Sequence, residues 1–456
     1  MGELMAGQKD QPTAALQGNR ACTTAEPTAE LMAALMEEPM AAHRGPVMAV
    51  RTAGHSDPLF RVTGLSLGEF AASYWDTEPL LRRAAQLPAG GFSDLLSLAG
   101  VDELLSQRGL RTPFVRMSRD GDVLSPARFT RGGGAGAEIS DQVADDKVLA
   151  EFAAGATLVL QGLHRMWPPI GEFAGTLSSQ LGHPVQVNAY VTPPQNTGFS
   201  SHYDVHDVFV LQFAGRKRWH IHEPVMSSPL RSQPWSERKS AVAARSAEPP
   251  VIDTVLETGD TLYLPRGYLH SATSLGEISG HLTVGVHPVT RQTLAHEVFI
   301  ALADDVELRR SLPVGVDLSD EAVLDGELEA TLAALRDAID RIDRAAVARG
   351  VGRHLAATTR PAPLRPLEQW SAAAMLTREH RVRLRPDLRL TLRTDGEHVV
   401  IELSDREIRL QCAAEHAVRV AVSGIAVTAD SLPGVDVREG LALLSQLLRN
   451  GIVVPA

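Results

Sequence analysis

The fold is decided by residues 200–224, which read SSHYDVHDVFVLQFAGRKRWHIHEP. In the first half an alternation with a period of two predicts a β-strand with two differently lined faces: Asp207, Phe209, Leu211 and Phe213 on one, Val208, Val210 and Gln212 on the other. A tight turn follows at Gly215 and a second strand begins after it, so the segment is predicted to form a β-hairpin. Its alternation places Lys217, Trp219 and Ile221 on one side, and Arg216, Arg218, His220 and His222 on a side that we expect to face water.

Two residues at the head of this segment have the chemistry of metal ligands. His202 and Asp204 are two positions apart, so their side chains project from the same face of an extended chain. A site with two histidines and one carboxylate holds a metal ion on one side and leaves the other side open to substrates. The third ligand should come from a distant strand, and His270 is the candidate, within GDTLYLPRGYLHSATS at residues 259–274.

No single histidine is strong evidence for a metal site, since the chain contains 16 of them. A combination of motifs is stronger evidence. A His-x-Asp pair that opens a strand, a cation 13 residues after the Asp and a further His after a Pro-Arg-Gly turn resemble the JmjC branch of the cupin superfamily. Within that branch the sequence is most similar to the ribosomal oxygenases and their bacterial relatives. The resemblance implies a double-stranded β-helix barrel with both α and β structure. It also implies Fe(II) bound by His202, Asp204 and His270, with 2-oxoglutarate and O2 as cosubstrates.

Lys217 supports this interpretation independently. The chain has 4 lysines among its 44 basic residues, the rest being arginine, yet this position is Lys. Strand alternation directs it toward the face of Trp219 and Ile221, where a buried ammonium needs an anionic partner. The resemblance implies that this partner is the distal carboxylate of 2-oxoglutarate. The alternative is a lysine whose ammonium reaches solvent along an apolar surface.

A second strand is predicted at residues 185–192, VQVNAYVT, with polar side chains on one face. That face can meet solvent or line a polar cavity inside a small barrel. The resemblance favours the cavity, with Asn188 and Tyr190 in contact with the cosubstrate, because they lie 14 and 12 residues before the first metal histidine. The family often has a further hydroxyl residue near the closing strand, GHLTVGVHP at residues 280–288, and Thr283 is the candidate.

Composition narrows the classes of function. A formal charge of −11 over 456 residues argues against a general nucleic-acid binder. Two cysteines provide no disulfide framework and agree with a reducing compartment. We expect neither a signal peptide nor a membrane span, because no run of residues approaches 18 apolar positions, and we therefore predict a cytoplasmic protein.

We predict four regions along the chain. Residues 1–57 are expected to be a disordered tail, and residues 58–290 the JmjC/cupin catalytic domain with a helical flank at its N-terminal side. Residues 291–370 are expected to be helical, with Leu332, Leu335 and Ile339 on one face of a helix over 328–348. The resemblance implies that this region forms a homodimer; packing within one chain is the alternative. Residues 371–456 resemble a winged-helix domain, but 11 Arg, no Lys and 11 acidic residues leave it neutral, so protein contact or stabilisation is favoured over nucleic acid.

The resemblance implies hydroxylation of a protein side chain, specifically of a ribosomal protein, with release of succinate and CO2. Two alternatives remain: a hydroxylase of peptides or small molecules in secondary metabolism, and a non-catalytic cupin binding module. Hydroxylation of a methyl-lysine would lead to demethylation by the same step. A long polar connection at residues 223–250 is expected to form a flap on the substrate side, with Trp235 as a contact.

Overall fold

The computed structural model describes residues 57–88, 90–119, 121–136, 138–194, 196 and 200–456. These residues form two compact units: residues 57–364 with Arg385–Leu390, and Arg365–Leu384 with Thr391–Ala456. The predicted N-terminal tail, residues 1–57, lies outside the described residues except for Asp57.

The larger unit contains helices and strands that alternate along the chain. Its helices are α1 (Pro58–Thr63), α2 (Leu67–Ser73), α3 (Leu98–Gln107), α4 (Asp145–Ala153), α5 (Pro168–Leu181), α6 (Lys239–Ser246), α7 (Arg291–Ala301), α8 (Glu321–Asp340) and α9 (Arg344–Thr358). Its strands are β1 (Leu80–Arg82), β2 (Val115–Arg119), β3 (Asp122–Val123), β4 (Thr130–Arg131), β5 (Gln142–Val143), β6 (Thr157–Leu160), β7 (Val185–Thr192), β8 (Asp207–Ala214), β9 (Lys217–His222), β10 (Ile252–Leu256), β11 (Thr261–Leu264), β12 (Leu269–Ser274) and β13 (Ser279–Val286).

Two sheets of the larger unit face each other. The larger has the strand order β1-β11-β8-β13-β7-β6-β2-β3, and the smaller has the order β10-β9-β12. The turn at Gly215 therefore carries the chain from one sheet to the other, and β8 and β9 do not pair as a hairpin. Gly215 adopts a φ of +59°, and a side chain there would collide with the carbonyl oxygen of Ile278, so this corner requires glycine.

The apolar core between the sheets draws on both of them. Val208, Val210, Leu262 and Leu264 of the larger sheet pack against Trp219, Ile221, Leu256 and Ala272 of the smaller sheet. The opposite face of β8, with Phe209, Leu211 and Phe213, belongs to a second core shared with the flanking helices. Both predicted faces of β8 are thus buried. The predicted fold class, a double-stranded β-helix of the cupin type with added helices, is confirmed.

Two local predictions need correction. The helix expected over residues 328–348 is interrupted, because α8 ends at Asp340 and α9 starts at Arg344, where the side chain of Asp343 accepts a hydrogen bond from Ala345 N as an N-cap. The outer face of β9 is also only partly exposed to solvent. His222 is 5 % exposed, and its Nε2 lies 3.1 Å from the carbonyl oxygen of Glu248.

The smaller unit has its own helices and sheets. They are α10 (Pro366–Ala374), α11 (Glu415–Ala421) and α12 (Val437–Arg449), a β14–β18 pair (Val382–Leu384 with Val453–Pro455) and an antiparallel sheet of β15 (Thr391–Asp395), β16 (His398–Glu402) and β17 (Glu407–Gln411). Assignment to the winged-helix class stays a prediction. Across the described ranges, no helix has both the length and the apolar character needed to cross a bilayer.

Candidate metal centre

The three predicted ligands meet at one end of the barrel. One ligand atom from each of His202, Asp204 and His270 lies within 4.8 Å of the other two, and Asp204 Oδ2 is 3.6 Å from His270 Nε2. Backbone pairing holds the two histidines together, since His270 N donates to His202 O over 2.8 Å and His202 N donates to His270 O over 3.2 Å. The segment before β8 and the start of β12 thus join as neighbouring strands do.

Hydrogen bonds to backbone carbonyls orient both imidazoles. His202 Nδ1 lies 2.7 Å from Ser200 O, and His270 Nδ1 lies 3.2 Å from Tyr268 O. A carbonyl oxygen only accepts, so each Nδ1 carries the hydrogen and each Nε2 presents a lone pair. Metal-bound histidines generally donate their second nitrogen in this way. The donor set fits a ferrous ion held on one face.

The protonation states favour metal binding at neutral pH. Burial, together with the neighbouring His202, lowers the pKa of His270 to about 4, so its imidazole is neutral. For Asp204, withdrawal from water would raise the pKa, but the imidazoles of His206 and His270 outweigh it and hold that pKa below its usual range. The carboxylate is therefore ionised and the imidazole is unprotonated, as ligands must be.

Lys217 lies inside the barrel on the face that strand alternation predicted. It is 2 % exposed, and Nζ donates to Thr192 Oγ1 over 3.0 Å. Among the described residues no charged partner acts on this ammonium, and the hydroxyl of Thr192 is its hydrogen-bond acceptor. Burial lowers its pKa to about 7. A cation enclosed with neutral partners is suited to a bound anion such as a 2-oxoglutarate carboxylate.

The polar face of β7 lines the same interior. The ring of Tyr190 stacks on His281 with centroids 5.2 Å apart, and Trp219 meets His281 edge-on at 5.2 Å. Asn188 Oδ1 accepts a hydrogen bond from Gly162 N over 3.0 Å, so its amide oxygen is engaged with the backbone. Its amide N–H groups are the part suited to a cosubstrate.

Thr283 lies on β13 in register with Asn188 and is half-buried. The hydroxyl in contact with the Lys217 ammonium, however, belongs to Thr192. Thr192 also accepts a hydrogen bond from Thr157 Oγ1 over 3.2 Å. The polar neighbour of the ammonium therefore comes from β7 and not from the closing strand.

An ionic network supports the turn that leads to His270. Arg266 is 7 % exposed, and its Nη1 lies 2.9 Å from Asp76 and 3.7 Å from the fully buried Asp207. The backbone N of Arg266 donates to Asp207 Oδ1 over 2.8 Å. The next residue, Gly267, donates its N–H to the carbonyl oxygen of Asp204 over 3.1 Å. The network thereby joins the metal ligands to the helical flank.

The connection over residues 223–250 packs beside the metal ligands. It contains a short 3-10 turn, Trp235–Glu237, and helix α6. The Trp235 ring lies 6.1 Å from the His202 ring, and Tyr203 Oη donates to the carbonyl oxygen of Gln233 over 2.9 Å. Tyr203 also packs in a small core with Val242 of α6. The segment is therefore anchored to the His-x-Asp strand.

Sequence reasoning missed several residues of this site. Thr192 has the same strand parity as Asn188 and Tyr190, and His281 has the same parity as Thr283, so alternation alone could have identified them. No comparable pattern pointed to Arg266, because its partners Asp76 and Asp207 are 190 and 59 positions away in the sequence.

Part of the chain is similar in sequence to known proteins. Residues 168–294 match the family model of the JmjC domain. Ribosomal oxygenase 1 of Gallus gallus is 31% identical over 256 residues, which cover 54% of this chain and 40% of that protein. The bifunctional lysine-specific demethylase and histidyl-hydroxylase NO66 of Drosophila persimilis is 26% identical over 262 residues, which cover 56% of this chain and 36% of that protein.

Among solved structures, YcfD, a ribosomal oxygenase from Escherichia coli in complex with cobalt and 2-oxoglutarate, aligns over 86% of this chain and 99% of that chain. The TM-score is 0.47 at 17% identity. The chain spans 40% or less of the length of the two curated relatives above. The predicted resemblance to JmjC proteins and ribosomal oxygenases is confirmed.

Proposed function

We propose that this chain, whose residues 168–294 match the JmjC domain model, is an Fe(II)- and 2-oxoglutarate-dependent oxygenase that hydroxylates a protein side chain. The observation that supports it most strongly is the pairing of two features in one barrel. A cluster of two histidines and one carboxylate has its ligand atoms within 4.8 Å of one another. An ammonium that is 2 % exposed and lacks a carboxylate partner among the described residues lies in the same interior.

Each residue of the candidate site has a definite role in this proposal. His202, Asp204 and His270 hold the ferrous ion on one face. Lys217 binds the distal carboxylate of 2-oxoglutarate, with Thr192 orienting its ammonium. Tyr190, Asn188 and Thr283 line the space between them. When bound, iron and 2-oxoglutarate supply the oxidising power that inserts one atom of O2 into a C–H bond, with release of succinate and CO2.

The barrel and its connection control access to that chemistry. Trp219 and His281 close the interior with aromatic surface next to the cosubstrate site. Trp235 stands beside His202 on the anchored 223–250 segment and is suited to contact a substrate. Arg266 and Asp207 hold the turn that carries the second histidine. Exclusion of water at such a site strengthens the electrostatic contacts within it.

The substrate part of the proposal rests on relatives. Two proteins with a matching domain are named as a ribosomal oxygenase and as a lysine demethylase and histidyl-hydroxylase. A protein side chain, in particular of a ribosomal protein, is therefore the proposed target.

Mass spectrometry on the host proteome tests this function. Wild type should add about 16 Da, one oxygen atom, to a specific residue. The His202→Ala variant should not. Succinate formation without any protein modification would favour a small-molecule or peptide hydroxylase. If no succinate forms in the presence of iron and 2-oxoglutarate, the alternative of a non-catalytic cupin binding module would be favoured.

A homodimer and a cytoplasmic location complete the proposal. Helix α7 exposes Leu294, Phe299 and Ile300 at 48%, 59% and 49% of their surface, in the region predicted to dimerise. Light scattering should give twice the chain mass at working concentration. A monomer mass would contradict the dimer.

A further inference from the structure

A row of inward-facing residues leads away from the cosubstrate site across the larger sheet. In the register of adjacent strands, His281 pairs with Tyr190, Tyr190 with Val159, and Val159 with Arg116. Residues paired across neighbouring strands point to the same face. Arg116 on β2 therefore lies on the face that carries Tyr190, whereas its neighbours Val115 and Met117 belong to the core on the opposite face.

Arg116 has no partner for its charge among the residues that the structure describes. Within the described part of the chain, it forms neither a hydrogen bond nor an ion pair, and its Nε is buried without an acceptor. Three other arginines also have a buried unpaired nitrogen, Arg61, Arg238 and Arg266. Each of those has a carboxylate within 4.0 Å: Asp94, Glu237 and Asp76. A half-buried guanidinium without an anion is therefore the exception, and such unsatisfied groups in native proteins call for an explanation.

The charge of Arg116 acts on the same phenol as the metal ligand does. Burial raises the pKa of Tyr190 to about 12; the Asp204 carboxylate adds to that rise and the Arg116 guanidinium opposes it. Tyr190 thus lies within electrostatic reach of both groups. Two strand spacings separate the backbones of Arg116 and Tyr190, roughly 10 Å. An anion bound at Arg116 would accordingly lie on the same face as Tyr190, about two strand spacings away from it.

We propose that Arg116 is a specificity-determining residue that pairs with a carboxylate of the substrate, close in sequence to the residue that is hydroxylated. This inference rests on the proposed function. Guanidinium and carboxylate form two parallel charge-assisted hydrogen bonds, which select a carboxylate over an amide of the same shape. Successive residues of an extended peptide advance by about 3.3 Å, so the carboxylate is expected within about three residues of the target.

The chain provides a matched control. Arg119 lies on the same strand, three positions on, with the opposite strand parity and with Glu151 at 3.9 Å. Arg116→Gln and Arg119→Gln therefore remove the same charge from the same strand, on opposite faces. The full chain, loaded with Mn2+ and 2-oxoglutarate, is used to select from a randomised peptide library. Peptides that bind are then resynthesised with Asp or Glu replaced by Asn or Gln, and with a free or an amidated C-terminus.

Wild type and Arg119→Gln should enrich acidic peptides. Arg116→Gln should bind them about tenfold more weakly or worse, with no remaining preference over the amide versions. Arg116→Lys keeps the positive charge and should retain part of the preference. This variant therefore controls for loss of folding at position 116. The paired peptides decide whether a side chain or a C-terminal carboxylate is recognised.

Two results would overturn the inference. One is a preference for acidic peptides over their amide versions that is unchanged in Arg116→Gln, or that is already absent in wild type. The other is a loss of 2-oxoglutarate affinity in Arg116→Gln as large as the loss of peptide affinity, which would assign Arg116 to the cosubstrate. Succinate formation by wild type without peptide is measured in parallel, so failure of the proposed oxygenase itself is recognised separately.

Discussion

The ammonium of Lys217 lies 3.0 Å from the hydroxyl of Thr192, in an interior where 2 % of the lysine is exposed. A neutral hydroxyl replaces only part of the hydration that an ammonium loses on burial. The position is therefore unfavourable for stability in the absence of an anion. Residues held at such a cost are typical of binding sites.

The first prediction separates stability from binding at this lysine. Lys217→Met should raise the unfolding free energy of the cosubstrate-free protein by about 1 to 4 kcal/mol, because an uncompensated buried charge is removed. The same variant should bind 2-oxoglutarate about 10- to 100-fold more weakly, since a charge-assisted bond is lost. Urea denaturation and calorimetry on Mn2+-loaded protein measure the two effects. Lys147→Met, which removes an ammonium bonded to the carbonyl oxygen of Thr130, is the control and should leave 2-oxoglutarate binding unchanged.

The second prediction concerns protons taken up with the cosubstrate. Burial lowers the pKa of Lys217 to about 7, so the free protein holds the ammonium below pH 7 and loses it above. A bound carboxylate favours the ammonium and raises that pKa. Binding above pH 7 must therefore take up a proton, and affinity should fall by up to about tenfold per pH unit. Calorimetry of metal-loaded protein in two buffers of different ionisation enthalpy should give close to one proton at pH 8 and close to none at pH 6.

A variant that cannot lose its charge tests the assignment of that proton. Lys217→Arg, if it still binds 2-oxoglutarate, should take up no proton at either pH, because the guanidinium stays charged. Uptake that persists in this variant would place the titrating group elsewhere.

The third prediction compares two histidines of the smaller sheet. His270 faces the interior and His220 faces outward, where its Nε2 is 3.5 Å from Asp253. His270→Asn should weaken Mn2+ or Fe2+ binding by more than about 100-fold, because even outer partners of metal ligands contribute 10- to 100-fold. His220→Asn should bind the metal as wild type does. Calorimetric titration with Mn2+ measures both, and similar affinities for the two variants would contradict the proposed ligand set.

The fourth prediction concerns the support of the ligand turn. Arg266→Met removes the contacts with Asp76 and Asp207 and should lower the unfolding free energy by about 1.5 to 3 kcal/mol, the range for hydrogen bonds to charged groups. Metal affinity should fall as well, because Gly267 N–H bonds to the carbonyl oxygen of Asp204. Arg218→Met removes a half-exposed ion pair with Asp253 and should cost less than about 1 kcal/mol with metal affinity intact. Denaturation and metal titration of both variants provide the comparison.

The fifth prediction follows from the buried carboxyl of that network. Burial outweighs the contact with Arg266 and raises the pKa of Asp207 to about 7. The folded protein thus holds a proton up to about pH 7 that the unfolded chain releases near pH 4, and unfolding free energy falls as pH rises through this window. Asp207→Asn cannot release a proton. Its stability relative to wild type should therefore increase from pH 5 to pH 7 and then stay level in metal-free protein, whereas a constant difference would rule out the raised pKa.

The fold class and most of the candidate metal site follow from local sequence patterns. Alternation with a period of two fixed which side chains of β7, β8 and β9 share a face, because successive residues of an extended chain point in opposite directions. It placed Lys217 with Trp219 and Ile221, and it placed Asn188 with Tyr190. The pattern of His202, Asp204 and His270 along the sequence indicates a shared metal ion.

Only the tertiary structure decided which segments are neighbours. Periodicity within a strand contains no information on the strand with which it pairs, so the passage from one sheet to the other at Gly215 was predicted as a hairpin. For the same reason Thr192, rather than Thr283, is the residue that contacts Lys217. The contact of Arg266 with Asp76, and the position of Arg116 on the face of Tyr190, depend on registers and packing between distant parts of the chain. Local sequence sets the direction of a side chain, and the packing of the whole fold sets what that side chain meets.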